Sequence, residues 1–217
     1  MSRPTVVFLH GLARTHRSLG RLRRAVERAG YPTWARSYPS RRLGIEELGA
    51  ALSRAILEDV GERELYAVTH SLGGIVVRHM KQSLRWRGVV MLAPPNRGSR
   101  VAAAFRDNPL FRWYFGPAGQ QIHRGMEWPP PPSPFAVIAG TSALSPVAPP
   151  SWLTHALALF PPGEPSDGTV AVSETRLTGM ADFITVPASH AWIMNHPDVP
   201  ELVLGFLERG RFPERRG

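Results

Sequence analysis

The sequence predicts an α/β protein built on a mainly parallel sheet of about six strands with helices on both faces. Three observations lead there. Short apolar runs alternate along the chain with stretches of helical periodicity. The strong runs are mostly apolar without alternation, as expected for strands buried on both faces. Two of them end in turns made of small residues, His10-Gly11 and His70-Ser71-Leu72-Gly73-Gly74.

The first run is Thr5–Leu9. Leu19, Leu22, Val26 and Ala29 then recur at helical spacing and put arginines on the opposite face. A less pronounced strand covers 33–37. Ile45, Leu48, Leu52 and Ile56 mark a second helix between Gly44 and Gly61. A strand over 65–69 leads into a turn and a helix over 71–84. Strands follow at 88–92, 135–139 and 183–186, and a last helix over 200–208 stops at Gly210. The 217 residues fit one domain, 1–217. The stretch 94–134 breaks the rhythm with Phe105, Phe111, Trp113, Tyr114, Phe115 and Trp128 and a proline run. It is too long and aromatic for a plain connection, so it reads either as a cap over a site or as a packed excursion. A second proline-rich stretch covers 146–165.

Composition removes several classes of chemistry. With 0 Cys, disulfides, thiolate metal sites and a cysteine nucleophile are excluded. Hydrophobic residues make up 43%, ordinary for a globular chain. The apolar start ends at His10-Gly11, which does not fit a signal peptide, and no run approaches the roughly eighteen apolar residues of a membrane span. A soluble, cytoplasmic protein is expected. The net charge of +9 is nearly all arginine, Lys81 being the only lysine. No nucleic-acid motif accompanies it, so the expectation is a solvated basic surface, with at most weak binding to anionic surfaces and no nucleic-acid partner. Nothing implies a metal or an organic cofactor, and oligomeric state leaves no trace in the sequence.

The chemistry concentrates at strand ends. Ser71 stands between an apolar strand and a helix among small residues, the setting of a nucleophile held up on a sharp turn, with the Leu72 amide aimed at a developing oxyanion. Thr69 occupies a position where such turns usually carry glycine. The plainer reading of Ser71 is a helix N-cap. Gly11 lets the first strand turn so that the Leu12 amide becomes the second oxyanion donor. His10 reads as packing under that loop, and it is also carried as a candidate pocket residue with Phe111 and Trp113. A base is expected beyond the last strand, where His190 is preferred over His196. The acid belongs between nucleophile and base in chain order. Asp167, in Ser166-Asp167-Gly168-Thr169, is preferred over Glu164, over Asp182, which adjoins the last strand, and over Asp198, which follows the histidine.

With these residues assembled, the chain resembles the α/β-hydrolase superfamily, and within it small bacterial lipase- and esterase-like members related to the PGAP1-like group. The resemblance rests on His10-Gly11-Leu12, on 70–74, on Ala93-Pro94-Pro95-Asn96-Arg97-Gly98-Ser99, on 167–170 and on Ser189-His190. It implies a reduced α/β-hydrolase fold, a small-molecule ester or lipid-like substrate, and hydrolysis through an acyl-enzyme on Ser71, His190 and Asp167. Competing expectations are a thioesterase or amidase with the same residues, a binding module that keeps the fold without catalysis, and an arginine-driven binder of nucleic acid or membrane surfaces.

Overall fold

The computed structural model describes residues 3–81, 83–143 and 159–214. Of the proline-rich stretch 146–165, the part up to 158 lies outside the described residues, as do Arg215 and Arg216.

Strands β1 (Thr5–Leu9), β2 (Thr33–Ala35), β3 (Leu65–His70), β4 (Trp86–Leu92), β5 (Phe135–Gly140) and β6 (Asp182–Val186) form one sheet in the order β2-β1-β3-β4-β5-β6. Every pairing is parallel. Helices α1 (Gly20–Arg28), α2 (Ile45–Val60), α3 (Leu72–Val76), α4 (Arg100–Phe105), α5 (Pro109–Gln121), α6 (Val172–Thr175) and α7 (Val199–Arg209) connect and cover it.

The period-2 alternation of strand side chains sorts the core into two layers. Val7, Leu9, Ala67, Met91 and Val137 pack with Leu48, Leu52 and Ile56 of α2 and Ile75 of α3. Val6, Phe8, Val68, Val90 and Ile138 pack on the other face with Leu22 and Val26 of α1 and Val203 and Phe206 of α7. Both faces being covered, the strands are largely apolar at consecutive positions. No helix among the described residues is long and apolar enough to cross a membrane.

The sequence reading errs on the segment 71–84. Helix α3 spans only Leu72–Val76, a 3-10 turn follows at Val77–His79, and Met80 is already extended. At the break Arg78 is buried and turned inward. Its guanidinium donates to the carbonyls of Asn96, Trp128 and Pro129.

The segment 94–134 holds helices α4 and α5. Ser99 caps α4, its hydroxyl accepting from the Ala102 amide at 3.2 Å. Asn108 caps α5, with Pro109 at the first turn, where its missing amide hydrogen costs nothing. Helix α5 breaks at Gly116, whose φ of 63° and ψ of −163° no helix accommodates. The excursion is tied back to the body by the Gln121 side chain, which accepts from the Ile45 amide at 2.8 Å and so caps α2.

Candidate active site

The site forms at the carboxyl ends of the strands, where open parallel sheets present their loops. Strand β3 ends at His70, and the Ser71 amide still donates to Leu92 of the neighbouring strand at 2.9 Å. Ser71 then adopts φ 50° and ψ −119°. A non-glycine residue there stores about 1–3 kcal/mol of backbone strain, which the surrounding sheet must hold. Helix α3 starts on the next residue. It approaches β1 so closely that a Cβ on Gly73 would lie 2.4 Å from the Leu9 carbonyl oxygen. The departure at Thr69 also has its explanation here: a Cβ on Gly74 would lie 3.3 Å from Thr69 Oγ1. The second glycine leaves room for the threonine.

Ser71, His190 and Asp167 form one hydrogen-bonded chain. His190 Nε2 lies 2.9 Å from Ser71 Oγ, and His190 Nδ1 lies 2.7 Å from Asp167 Oδ2. A carboxylate only accepts, so Nδ1 carries the hydrogen and the Nε2 lone pair faces the serine hydroxyl. Asp167 is 1% exposed, and its other oxygen accepts from the amides of Thr169 at 3.0 Å and Val170 at 2.7 Å. The two loops are laced together, the His190 amide donating to the Asp167 carbonyl at 3.0 Å.

The rival residues are engaged elsewhere. Glu164 pairs with Arg100 and Ser173, and that arginine holds its carboxyl below the usual range. Asp182 accepts from the Phe212 amide at 2.7 Å, and Asp198 sits 3.9 Å from His196. The amides of Leu12 and Leu72 take part in no hydrogen bond among the described residues. The loop carrying Leu12 lies against the serine, since a Cβ on Gly11 would be 3.4 Å from that of Ser71.

Above Ser71 and His190 opens a cleft of about 960 Å³. Its apolar walls come largely from the excursion 94–134, above all Phe105, Phe111, Phe115 and Ile122, opposite Leu12. The Phe111 and Phe115 rings, four residues apart on one helix face, stand 4.5 Å from each other.

Two candidate pocket residues are placed elsewhere. Trp113 lies outside the cleft, on the opposite face of α5 from Phe111, and is 76% exposed. His10 is sealed beneath the loop, stacked on Tyr38 at 3.8 Å. Its Nε2 accepts from the Tyr38 amide at 3.1 Å, and its Nδ1 donates to the Gly11 carbonyl at 2.9 Å. Burial pulls its pKa down to about 4.

Several residues escaped the sequence reading. His70 Nε2 donates to the His190 carbonyl at 2.9 Å, so the residue before the serine braces the loop carrying the base. Burial, with the nearby His190, drives the His70 pKa well below its ordinary value. Asn96 donates to the Thr175 carbonyl at 2.9 Å and accepts from Arg78, which gives the stretch 93–99 a structural role. Buried Glu174 accepts from the amides of Arg100 and Ala171, both at 2.7 Å. Each is a polar residue in an apolar setting, a signal that does not identify its partner. No group of three or more His, Asp or Glu suited to a metal occurs among the described residues.

No protein-family model and no curated protein matches the sequence. Solved structures do match. The chain is similar to the mature form of the lipase BlEst2 of Bacillus licheniformis, at 20% identity over 95% of this chain and 92% of that one, with a TM-score of 0.76. It is similar to the metagenomic carboxyl esterase MGS0156, at 19% identity over 97% and 77% of the two chains, with a TM-score of 0.75. A monoacylglycerol lipase of Paleococcus ferrophilus is 17% identical over 95% and 96%, with a TM-score of 0.57. The likeness shows the fold that the chain shares with them, the α/β-hydrolase fold in a reduced form of six parallel strands.

Proposed function

From the α/β-hydrolase fold and the Ser71–His190–Asp167 chain, we propose that this protein is a serine hydrolase that cleaves carboxylic esters through an acyl-enzyme. The observation that carries the reading is the serine in strained backbone with its hydroxyl 2.9 Å from an imidazole that a buried carboxylate orients.

Ser71 Oγ attacks the ester carbonyl carbon while His190 Nε2 takes its proton. Asp167 keeps the hydrogen on Nδ1 and stabilises the imidazolium. The carbonyl oxygen becomes an oxyanion facing the Leu12 and Leu72 amides, each such donor being worth about 2.7–4 kcal/mol. His190 then gives its proton to the leaving alcohol, the ester C–O bond breaks, and Ser71 is left acylated. Water, deprotonated by the same imidazole, attacks the acyl-enzyme and releases the acid. The aromatic walls of the cleft suit the apolar acyl chain of a lipid-like ester, with Phe111 among them.

The test combines a fluorophosphonate probe with a panel of chromogenic esters from short to long chain, with one thioester and one amide. Ser71 should carry the label, Ser71→Ala should lose both label and turnover, and the esters should be the preferred substrates. Labelling that persists in Ser71→Ala would remove Ser71 from the mechanism.

A further inference from the structure

The cleft carries one feature that ester hydrolysis alone does not use. Arg14 lines it, together with Ser71 and His190, on the loop just beyond Leu12. The loop is tightly held: the Arg14 amide donates to the Gly11 carbonyl at 3.3 Å, and the Ala13 amide donates to Ser40 Oγ at 3.1 Å. The guanidinium is half-buried, and burial draws its pKa down. It lies close enough to His10 and His70 to disfavour their protonation.

Among the described residues it has no ion pair, no hydrogen bond and no aromatic ring beneath it. The residues outside the description, 1–2, 82, 144–158 and 215–217, contain no Asp or Glu that could pair with it. Among the described residues the only carboxylate lining the cleft is Asp167, whose two oxygens are taken by His190 and by the amides of Thr169 and Val170. A half-buried cation without a counter-charge is costly, and other arginines of this chain are handled differently. Arg23, Arg36 and Arg100 pair with carboxylates, and buried Arg78 is saturated by carbonyl oxygens.

We propose that Arg14 is an anion-binding residue of the cleft, and that the substrate is an amphiphilic ester with a carboxylate or phosphate on its polar end. The acyl chain lies along Phe105, Phe111 and Phe115 while Arg14 takes the anionic group through charge-assisted, bidentate hydrogen bonds. This rests on the ester-hydrolase reading for the word substrate, but the anion site stands on its own geometry.

The experiment has two arms. In the first, no ester is hydrolysed: octyl phosphate, octanoate and neutral octyl glucoside are titrated calorimetrically into the wild type, Arg14→Gln and Arg14→Lys. One charge-assisted pair should be worth about ten- to a hundredfold in affinity. Arg14→Gln should lose that factor for an anionic amphiphile, Arg14→Lys should recover part of it, and octyl glucoside should be affected at least tenfold less. The octyl phosphate and octanoate titrations tell phosphate from carboxylate. In the second arm, 1-octanoylglycerol, its 3-phosphate and O-octanoyl lactate are compared as substrates, with KM and kcat separated. An anionic ester should be preferred at least tenfold, and Arg14→Gln should erase the preference through KM.

Equal losses on neutral and anionic esters would overturn the proposal in favour of a role at the oxyanion, and so would anionic binding insensitive to Arg14. Arg14-dependent anion binding without hydrolysis of any ester would keep the anion site and sink the ester reading instead.

Discussion

The floor and the roof of the cleft are built on opposite principles. At the floor, Ser71, Asp167 and His190 sit on short loops at the ends of strands, and the position of each is over-determined. The Ser71 amide is held by β4, both Asp167 oxygens are occupied, and the His190 loop is fastened to the Asp167 carbonyl and braced by His70. At the roof, α4 and α5 present aromatic rings whose packing is non-directional, with Leu110 and Trp113 left 74% and 76% exposed. Directional bonds fix a proton path to within tenths of an ångström. An apolar wall needs only bulk, so the roof can vary where the floor cannot.

The largest effects should come from the floor. Ser71→Ala should lower kcat by about a millionfold, and Asp167→Asn by about ten-thousandfold, because the amide favours the wrong imidazole tautomer. Since the three act as a unit, adding His190→Ala to Asp167→Asn should cost little more than either alone. The measurement is kcat for the singles and the double, with circular dichroism to confirm folding. Losses that multiply would mean the two residues do not work through one another.

Next comes the joint between floor and roof. Arg78 ties the 3-10 turn after α3 to the carbonyls of Asn96, Trp128 and Pro129. Arg78→Met keeps the apolar stem but frees those carbonyls and should cost about 3 kcal/mol in urea unfolding. A change below 0.5 kcal/mol would mean that water replaces the guanidinium there and that the roof holds itself in place.

Acid should loosen the floor first. His10 and His70 are buried and have depressed pKa values. The unfolded chain takes up a proton at each below about pH 6.5 while the folded chain does not. Stability is therefore full above that pH and is lost as the pH falls, for His10 until its folded pKa of about 4. At pH 5 His10 contributes a loss of about 2 kcal/mol, and His70 adds to it in the same direction. Chemical denaturation at pH 7.5 and 5 should show this, and His10→Gln should remove about 2 kcal/mol of it. An unchanged difference would place the acid sensitivity elsewhere.

The smallest effects separate the two faces of α5. Phe111→Ala should shift acyl-chain preference and cost about 1–2 kcal/mol, less than a fully buried ring because Phe111 is only half-buried. Trp113→Ala should change stability by less than about 0.5 kcal/mol and leave chain-length preference as it was. The reverse order would show that α5 meets substrate with its outer face.

By itself, the sequence determined the sheet, because strands buried on both faces must be apolar at consecutive positions and few other structures allow that. It also determined where a nucleophile could stand, because a sharp strand-to-helix turn tolerates only small neighbours at defined places such as Gly73. Chain order and loop position favoured His190 over His196 as the base and Asp167 over Glu164, Asp182 and Asp198 as the acid. The tertiary structure adds what each carboxylate meets: Asp167 reaches the His190 imidazole, while Glu164 is held by Arg100. The end of α3, the inward turn of Phe111 and the outward turn of Trp113 were decided there as well. So was the lone charge of Arg14 in the cleft: a residue's type shows that it is charged, but only the assembled fold shows that nothing among the described residues answers the charge.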